Sequence, residues 1–334
     1  MKLEAPRLES SAFINNLGPG ERSTWRFLLA LVGGLAAFLF ISVIAIIAAF
    51  AIYVVLLGWP NPFGSAGPRP LLDRFIALAG SDGRNLADEL EIIGIGLTSN
   101  ILPMFAFLGI AALAHRTTLR AFCTAATRFR WRMLVVGLLL ATAVIGPFVA
   151  IVELMDPKAA PPILTISKDP LLLGVYALVS FIGFVPAALG EEILFRGWLL
   201  RQISNAFRNP LILLTANGVI FAAAHFDFAP DAFLERSIMG AGLGYMTLRL
   251  SGVELAAGVH ASNNLMIVLF ISPLTLKAAP NSGFDATSLI SYVGLFVAYV
   301  GIAEITARWP SLRRWSGADR GPSPTTIAVV EHFS

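Results

Sequence analysis

Residues 171–202 read LLLGVYALVSFIGFVPAALGEEILFRGWLLRQ, an apolar run that is interrupted towards its end by Glu191, Glu192 and Arg196. About 20 predominantly apolar residues are enough for an α-helix to cross a bilayer. Charged side chains at that depth are costly, and they mark either helix packing or chemistry. This run therefore predicts a membrane-spanning helix that carries the most informative polar residues of the chain.

The composition of the whole chain is that of a membrane protein. Of its 334 residues, 56% are hydrophobic and 13% are charged, and the mean hydropathy is +0.75. Soluble domains carry roughly a quarter charged residues. Runs long enough to cross a bilayer are 26–57, 92–114, 133–153, 171–202, 209–227, 233–250, 253–272 and 286–307. We expect an all-α, polytopic membrane protein with about eight transmembrane helices.

The ends of the chain differ from this transmembrane helical domain, which we place at 26–309. The first apolar run is much longer than the roughly 7–15 residues of a signal-peptide core, so we interpret it as a retained helix that follows a cytoplasmic segment, 1–25. Residues 310–334 contain Pro310, Pro322 and Pro324 and little apolar material. This composition predicts a disordered cytoplasmic tail.

Basic residues predict the orientation of the helices. They concentrate in alternate connections, at Arg116, Arg120, Arg128, Arg130, Arg132, Arg201, Arg208, Arg249, Arg308, Arg313 and Arg314. Short loops that are rich in Lys and Arg stay on the cytoplasmic side. We therefore expect a multi-pass protein of the cell (inner) membrane with both termini in the cytoplasm. Glu254 and Glu304 lie near span ends, where we expect them to be hydrated.

The composition also bears on two other kinds of ligand, nucleic acids and metal ions. The net charge of +3 does not indicate nucleic-acid binding, because the basic residues are spread over short loops and form no continuous basic footprint. Cys123 is the only cysteine, which excludes an intramolecular disulfide and a cysteine-based metal cluster. Any metal ligands would have to be His, Glu, Asp or Asn.

The two adjacent glutamates are predicted to have different roles. On a helix, Glu192 and Arg196 are four residues apart, so they share a face and form a favourable acid–base pair. Glu191 is rotated from Glu192 by about 100° and lacks a local counter-charge. A buried carboxylate of that kind is suited to acid–base chemistry. Within this segment alone, a purely structural interhelical ion-pair network is the alternative.

Polar residues of two later spans are expected to join Glu191. His225 follows Phe221 and three alanines, whose small side chains permit close helix approach. His260 and Asn264 are again four residues apart and share a helix face. Helical rise places Glu191 and His225 at compatible depths, whereas His260 lies only about 12 Å from the turn at Ser251, so that turn must be recessed.

These residues fit two mechanisms of amide hydrolysis. In the first, Glu191 deprotonates a water held with His225, and His260 with Asn264 stabilises the developing oxyanion. In the second, Glu191, His225 and His260 ligate a zinc ion that activates the water. The chain has no His-Glu-x-x-His element that would indicate the metal site, so spacing leaves both open.

The motifs resemble those of a known family, the CAAX protease and bacteriocin-processing (CPBP) family of intramembrane proteases, which includes the Ras-converting CAAX endopeptidases. Its Glu-Glu-x-x-x-Arg motif is matched by Glu191 to Arg196, its Phe-x-x-x-His motif by Phe221 to His225, and its His-x-x-x-Asn motif by His260 to Asn264. The order and spacing of the three motifs make the resemblance specific over a protease core at about 171–272. The first three spans carry no family motif.

The resemblance implies an eight-helix fold and proteolysis of a membrane-associated protein or peptide within the bilayer. It also implies the water-activating role of Glu191 with His225 and the oxyanion role of His260 with Asn264, with a metal-free glutamate mechanism preferred to zinc. Nothing in the sequence indicates prenylated substrates. Two other functions stay open: a non-catalytic immunity or scaffold protein, and an ion-coupled transporter, for which an inverted repeat would be expected and is not visible.

Overall fold

The computed structural model describes residues 8–65, 67–82, 85–155, 161–274 and 286–319. The α-helices are α1 Ala12–Asn15, α2 Thr24–Leu56, α3 Arg69–Ala79, α4 Leu86–His115, α5 Leu119–Cys123, α6 Trp131–Met155, α7 Pro162–Thr165, α8 Pro170–Glu192, α9 Leu200–Ala206, α10 Pro210–Ala223, α11 Pro230–Leu250, α12 Glu254–Met266, α13 Ala286–Arg308 and α14 Pro310–Ser316. Two π-helical segments, Ile193–Leu199 and Ile267–Ile271, continue α8 and α12. The described residues contain no β-strand beyond an isolated bridge between Thr124 and Gly252.

The predicted fold class, an all-α polytopic membrane protein, is confirmed. Five helical stretches are long and apolar enough to cross a membrane: Thr24–Leu56, Leu86–His115, Pro170–Ala206, Glu254–Ile271 and Ser288–Arg308. Trp131–Pro147 and Pro210–Ala223 are shorter apolar helices. Each of the eight predicted runs corresponds to a helix, and α11 is the most polar of them because it contains two acidic and two basic residues.

Local sequence determines where several of the long helices begin and end. The side chains of Asn85, Asp169 and Asn209 accept hydrogen bonds from backbone N–H groups in the first turns of α4, α8 and α10. Proline follows directly at the first position of α8 and α10, where its missing N–H costs nothing. Helices α4 and α11 end in left-handed residues, Arg116 and Ser251, whose φ angles are 53° and 54°.

Glycines let the helices that carry the predicted site pack at close range. A Cβ atom at Gly218 of α10 would overlap the Ser237 carbonyl oxygen of α11. A Cβ atom at Gly258 of α12 would overlap the Leu134 carbonyl oxygen of α6. Small residues at such contacts let backbones approach, which is how membrane helices gain packing energy. The backbones of α10 and α12 are therefore fixed tightly against α11 and α6.

Successive long helices are antiparallel, so one end of the bundle collects the starts of α2, α6, α10 and α12 and the ends of α4, α9, α11 and α13. We call it the basic end, after its arginines. Two of these arginines are buried in ion pairs: Arg130 Nη2 lies 2.6 Å from Glu254 Oε2, and Arg201 Nη2 lies 2.7 Å from Glu21 Oε1. The expectation that Glu254 is hydrated is wrong, because its side chain is fully buried against Arg130.

The chain ends differ in part from the predicted segments. Helix α14 occupies Pro310–Ser316, and its Trp315 ring lies 5.9 Å from the guanidinium carbon of Arg132. The prediction of a disordered tail from residue 310 is therefore wrong at its start, because α14 is helical and its Trp315 ring lies beside Arg132 of α6. The rest of the predicted tail, 320–334, and residues 1–7 of the N-terminal segment lie outside the described residues.

Candidate active site

The Glu-Glu-x-x-x-Arg motif lies where α8 changes into a π-helix. Helix α8 ends at Glu192, and the π-helical segment Ile193–Leu199 contains Arg196. Single π-helical turns inside α-helices are rare and occur frequently at functional sites. This change could not be predicted from sequence, since the apolar pattern of the run continues through it.

Glu192 and Arg196 form a completely buried ion pair. Arg196 Nη1 donates to Glu192 Oε1 at 2.9 Å, and neither side chain is accessible. Arg196 Nη2 donates to the Gly240 carbonyl oxygen at 3.2 Å, and the guanidinium carbon lies 4.1 Å from the centre of the Phe221 ring. Buried charges are tolerated when they are paired and hydrogen-bonded in this way.

Glu192 also holds His260, a contact that sequence reasoning missed. His260 Nδ1 lies 2.8 Å from Glu192 Oε1, the same oxygen that accepts from Arg196. Because Glu192 Oε1 acts as the acceptor, Nδ1 carries a proton and Nε2 points away from this pair. The glutamate predicted to balance Arg196 therefore also fixes the orientation of the imidazole, across 68 residues of sequence.

Glu191 is the carboxylate of the two that has no arginine partner among the described residues. Its Oε2 atom lies 3.8 Å from His260 Nε2, which is too long for a hydrogen bond. That oxygen is buried and has no hydrogen-bond partner in the described part of the chain, although the side chain is 25% exposed. The structure thus places Glu191 and His260 together, with Glu191 unneutralised and partly accessible.

His225 lies in the turn that follows α10, and it is held by its own helix. Its Nδ1 atom lies 2.8 Å from the Phe221 carbonyl oxygen. A carbonyl can only accept, so Nδ1 carries the proton and Nε2 of the neutral imidazole keeps its lone pair. His225 is exposed at the residue level and lies within electrostatic reach of Glu191 and His260.

The ring of Phe221 connects these groups. Its centre is 4.7 Å from the His225 ring, 5.9 Å from the His260 ring and 5.2 Å from the Phe195 ring, all in edge-on arrangements. The fourth neighbour is the Arg196 guanidinium. Phe221 was recognised only as the first residue of its motif, and its role as the common packing surface depends on contacts that spacing does not reveal.

Asn264 and Asn217 differ in the hydrogen bonds that they form near the candidate active site. Asn264 lies one turn after His260 on α12 and is partly buried, and no hydrogen bond joins its amide to another described residue. No hydrogen bond joins it to Glu191 or His225. Asn217, which sequence reasoning missed, donates from Nδ2 to the Phe195 carbonyl oxygen at 2.8 Å and so supports the π-helical segment.

The residues of the predicted zinc alternative do not converge. Among the described residues, no three His, Cys, Asp or Glu side chains are placed to hold one metal ion. The Nδ1 atoms of His225 and His260 are engaged by Phe221 and Glu192, which leaves Nε2 of each ring for another partner. The mechanism below uses no metal, and the zinc alternative has its own test.

Comparisons with known proteins found similarity in the part of the chain that contains the candidate active site. Residues 173–266 match the family model described as type II CAAX prenyl endopeptidase Rce1-like. The uncharacterized protein YyaK of Bacillus subtilis (strain 168) is 27% identical over 184 residues, which cover 52% of this chain and only 60% of that relative. No solved structure matches. The matched segment runs from α8 to the end of α12 and contains all four candidate catalytic residues, so the resemblance to the CPBP family is confirmed over this segment.

Proposed function

We propose that this chain is an intramembrane endopeptidase that hydrolyses a peptide bond in a membrane-associated protein or peptide. The Rce1-like segment supports a CAAX-type protease at the level of the family. One observation carries the proposal for this chain: Glu191 has a buried, unpaired carboxylate oxygen facing His260, while its neighbour Glu192 is neutralised by Arg196. A fold that neutralises one glutamate and leaves the adjacent one unpaired keeps a base available for chemistry.

Water activation is assigned to Glu191 and His225. A water lying off the line between Glu191 Oε2 and His260 Nε2 can reach both atoms at ordinary hydrogen-bond length, because these atoms are 3.8 Å apart. Glu191 takes a proton from this water. His225 Nε2, whose lone pair is free because Nδ1 donates to Phe221, accepts the second water hydrogen and orients the attacking lone pair.

The reaction then follows the usual course of amide hydrolysis. Water oxygen bonds to the carbonyl carbon while the carbonyl π electrons move to oxygen, and one water proton passes to Glu191. The tetrahedral intermediate re-forms the carbonyl and breaks the C–N bond. The leaving amine takes the proton that Glu191 returns, so the glutamate ends the cycle as it began.

Oxyanion stabilisation is assigned to His260 and Asn264. Nδ1 of His260 donates to Glu192 Oε1, so the ring presents a second donor, Nε2–H, towards the substrate only when both of its nitrogens carry a proton. The Nε2–H group and the Asn264 amide are then the donors for the developing negative charge. Glu192 and Arg196 act as positioning residues through His260.

The function is tested by cleavage of two reporters in nanodiscs. One reporter is a farnesylated CAAX peptide and the other is an unprenylated peptide anchored by a transmembrane helix. We expect the wild-type chain to cleave at least one, and a variant with alanine at Glu191, His225, His260 and Asn264 to cleave neither. The reporter that is cleaved identifies the substrate class. If the cellular phenotype of a deletion is rescued by that fourfold variant, the protein is a non-catalytic scaffold or immunity factor.

Metal chelation tests the preferred glutamate mechanism. Cleavage is expected to be unchanged after prolonged treatment with EDTA and 1,10-phenanthroline, because the described side chains form no metal site and Glu191 acts directly on water. Metal analysis of the purified protein accompanies the assay. Loss of activity that added zinc restores, together with about one bound zinc per chain, would support the metalloprotease alternative.

The membrane orientation is also proposed: the basic end faces the cytoplasm, with both termini, in the inner membrane. Burial, with a smaller effect of the nearby Glu254, raises the pKa of the Cys123 thiol to about 12. Because the thiolate is the reactive form, the native cysteine is expected to stay unlabelled by maleimide at pH 7. Maleimide labelling therefore reports only on cysteines that are engineered at exposed positions.

Labelling of spheroplasts with a membrane-impermeant maleimide then compares Ser65→Cys, at the end opposite the basic end, with Ser311→Cys in α14. Both side chains are exposed. We expect Ser65→Cys to react in intact spheroplasts and Ser311→Cys to react only after lysis. The reverse pattern would place the basic end outside. Cys123 serves as an internal control that labels only after denaturation.

A further inference from the structure

A cavity of about 490 Å³ opens at the basic end, away from the candidate active site, between the start of α2 and the end of α4. Its lining includes Gly20, Glu21, Ser23 and Arg26 before and within the first turn of α2, and Arg116 after α4. The chemistry of the residues that line this pocket indicates the kind of ligand that it suits.

The lining carries uncompensated positive charge. Neither Arg26 nor Arg116 has a carboxylate partner among the described residues, and Arg26 is held in place by donating from Nη1 to the Ala114 carbonyl oxygen at 3.1 Å. The carboxylate of Glu21 is neutralised by Arg201, whose Nη2 lies 2.7 and 2.9 Å from its two oxygens. Two guanidinium groups therefore remain for an anion.

Neutral hydrogen-bond donors surround the same cavity. The hydroxyl groups of Ser23 and Thr117 line it, and neither has a hydrogen-bond partner in the described part of the chain. Ser23 does not cap α2 with its side chain, so the first N–H groups of this 33-residue helix also lack a side-chain acceptor. A helix start adds positive potential to the two arginines.

We infer that this cavity binds a phosphate-bearing anion, with the head group of an anionic phospholipid as its source at the membrane surface. Guanidinium groups and hydroxyls are the donors that phosphate oxygens prefer. Next to the cavity, α2 exposes the apolar side chains of Trp25, Leu28 and Leu29. They offer a surface for acyl chains next to the head-group site. Basic pockets between transmembrane helices are known to bind such head groups.

His115, which lines the cavity, connects it to the π-helical segment that contains Arg196. His115 Nδ1 lies 3.0 Å from the Gly20 carbonyl oxygen, and its Nε2 accepts from Trp198 Nε1 at 3.1 Å. Trp198 belongs to the π-helical segment that contains Arg196. An anion that joins the start of α2 to the end of α4 therefore stabilises the helix ends that support this segment.

The test compares the full-length chain in detergent with added phosphatidylglycerol, with added phosphatidylcholine, and with added inorganic phosphate. Native mass spectrometry measures bound lipid, and tryptophan fluorescence measures the unfolding midpoint. Phosphatidylglycerol is expected to bind and raise the midpoint, and phosphatidylcholine is not. Arg116→Gln is expected to weaken binding about fivefold, the effect of one basic residue near an anionic surface. Arg128→Gln, an exposed arginine of the same end outside the cavity, is the matched control and should leave binding unchanged.

Each outcome of this experiment either supports or contradicts the inferred anion site. A similar rise with inorganic phosphate, lost in Arg116→Gln, supports the site and assigns it to a soluble phosphate compound. Equal binding of the two lipids, or equal loss in Arg116→Gln and Arg128→Gln, overturns the inference. If Arg116→Gln has a lowered midpoint without lipid, Thr117→Val keeps the charge and removes one donor. Unchanged phosphatidylglycerol binding in both Thr117→Val and Arg26→Gln would then also overturn it.

Discussion

Replacing Glu191 with glutamine is expected to lower the rate of peptide cleavage about 10³-fold without unfolding the protein, which is the usual effect of removing a general base. Glutamine has the size of glutamate but cannot take a proton from water. Glu191 forms no ion pair with arginine among the described residues and is 25% exposed, so its charge contributes little to packing. The loss should appear in kcat, measured with whichever reporter the wild-type chain cleaves.

A glutamate from another helix provides the control for this variant. Glu304 lies on α13, where it pairs with Arg249 at 2.7 Å, and Glu304→Gln should lower stability but leave kcat within a few-fold of wild type. Wild-type kcat in Glu191→Gln would show that Glu191 is not the base. An equally large fall of kcat in Glu304→Gln would show that the assay responds to folding and not to chemistry.

Replacing Glu192 with glutamine is expected to have a different, structural effect, with a loss of about 3–5 kcal/mol in the free energy of unfolding. This is the usual cost of leaving one charge of a buried pair without its partner. In this variant the fully buried guanidinium of Arg196 keeps only the Gly240 carbonyl oxygen, the Phe221 ring and a neutral amide. Activity falls as well, because His260 loses the negative charge that holds its Nδ1–H group.

A double variant distinguishes the effect of leaving one buried charge unpaired from the effect of removing the whole ion pair. Methionine at both Glu192 and Arg196 removes the pair together, and replacing a buried pair by apolar residues of similar volume is often neutral for stability. We expect the double variant to unfold at a higher denaturant concentration than Glu192→Gln while remaining inactive, since His260 is still unsupported. Equal stability of Glu192→Gln and wild type would show that the pair does not stabilise the fold.

The helices could be predicted from sequence because a bilayer imposes a length and a composition on each span. The runs 26–57 and 286–307 coincide closely with α2 and α13. The short helices outside these spans were harder to predict. Helices α3, α5 and α14 are too polar or too brief for a hydropathy run to mark them. The burial of Arg130 could not be predicted for a related reason. Arg130 has the same local sequence signal as a loop arginine, and only its partner Glu254, 124 residues away, makes it part of the interior.

Within the candidate site, sequence reasoning identified residues by type and spacing, but not most of the contacts between them. The four-residue interval from Glu192 to Arg196 fixes a shared helix face, and the structure places the two in an ion pair. No interval joins Glu192 to His260 or Phe221 to Arg196, because these contacts depend on how α8, α10 and α12 pack. The signal that was present, and was not used, is Gly218 and Gly240, two glycines on neighbouring helices beside a buried arginine.

The π-helical segment Ile193–Leu199 makes the length of this region as important as its composition. A π-helical turn holds one more residue than the α-helical turn it replaces. Deleting a single residue within this segment would let it return to regular α-helix, with Trp198 and Arg201 still facing His115 and Glu21. Such a deletion would change the geometry of the turn that carries Arg196 and leave the direction of the helix beyond it nearly unchanged. The length of this region therefore sets the position of Arg196, apart from the identity of its side chains.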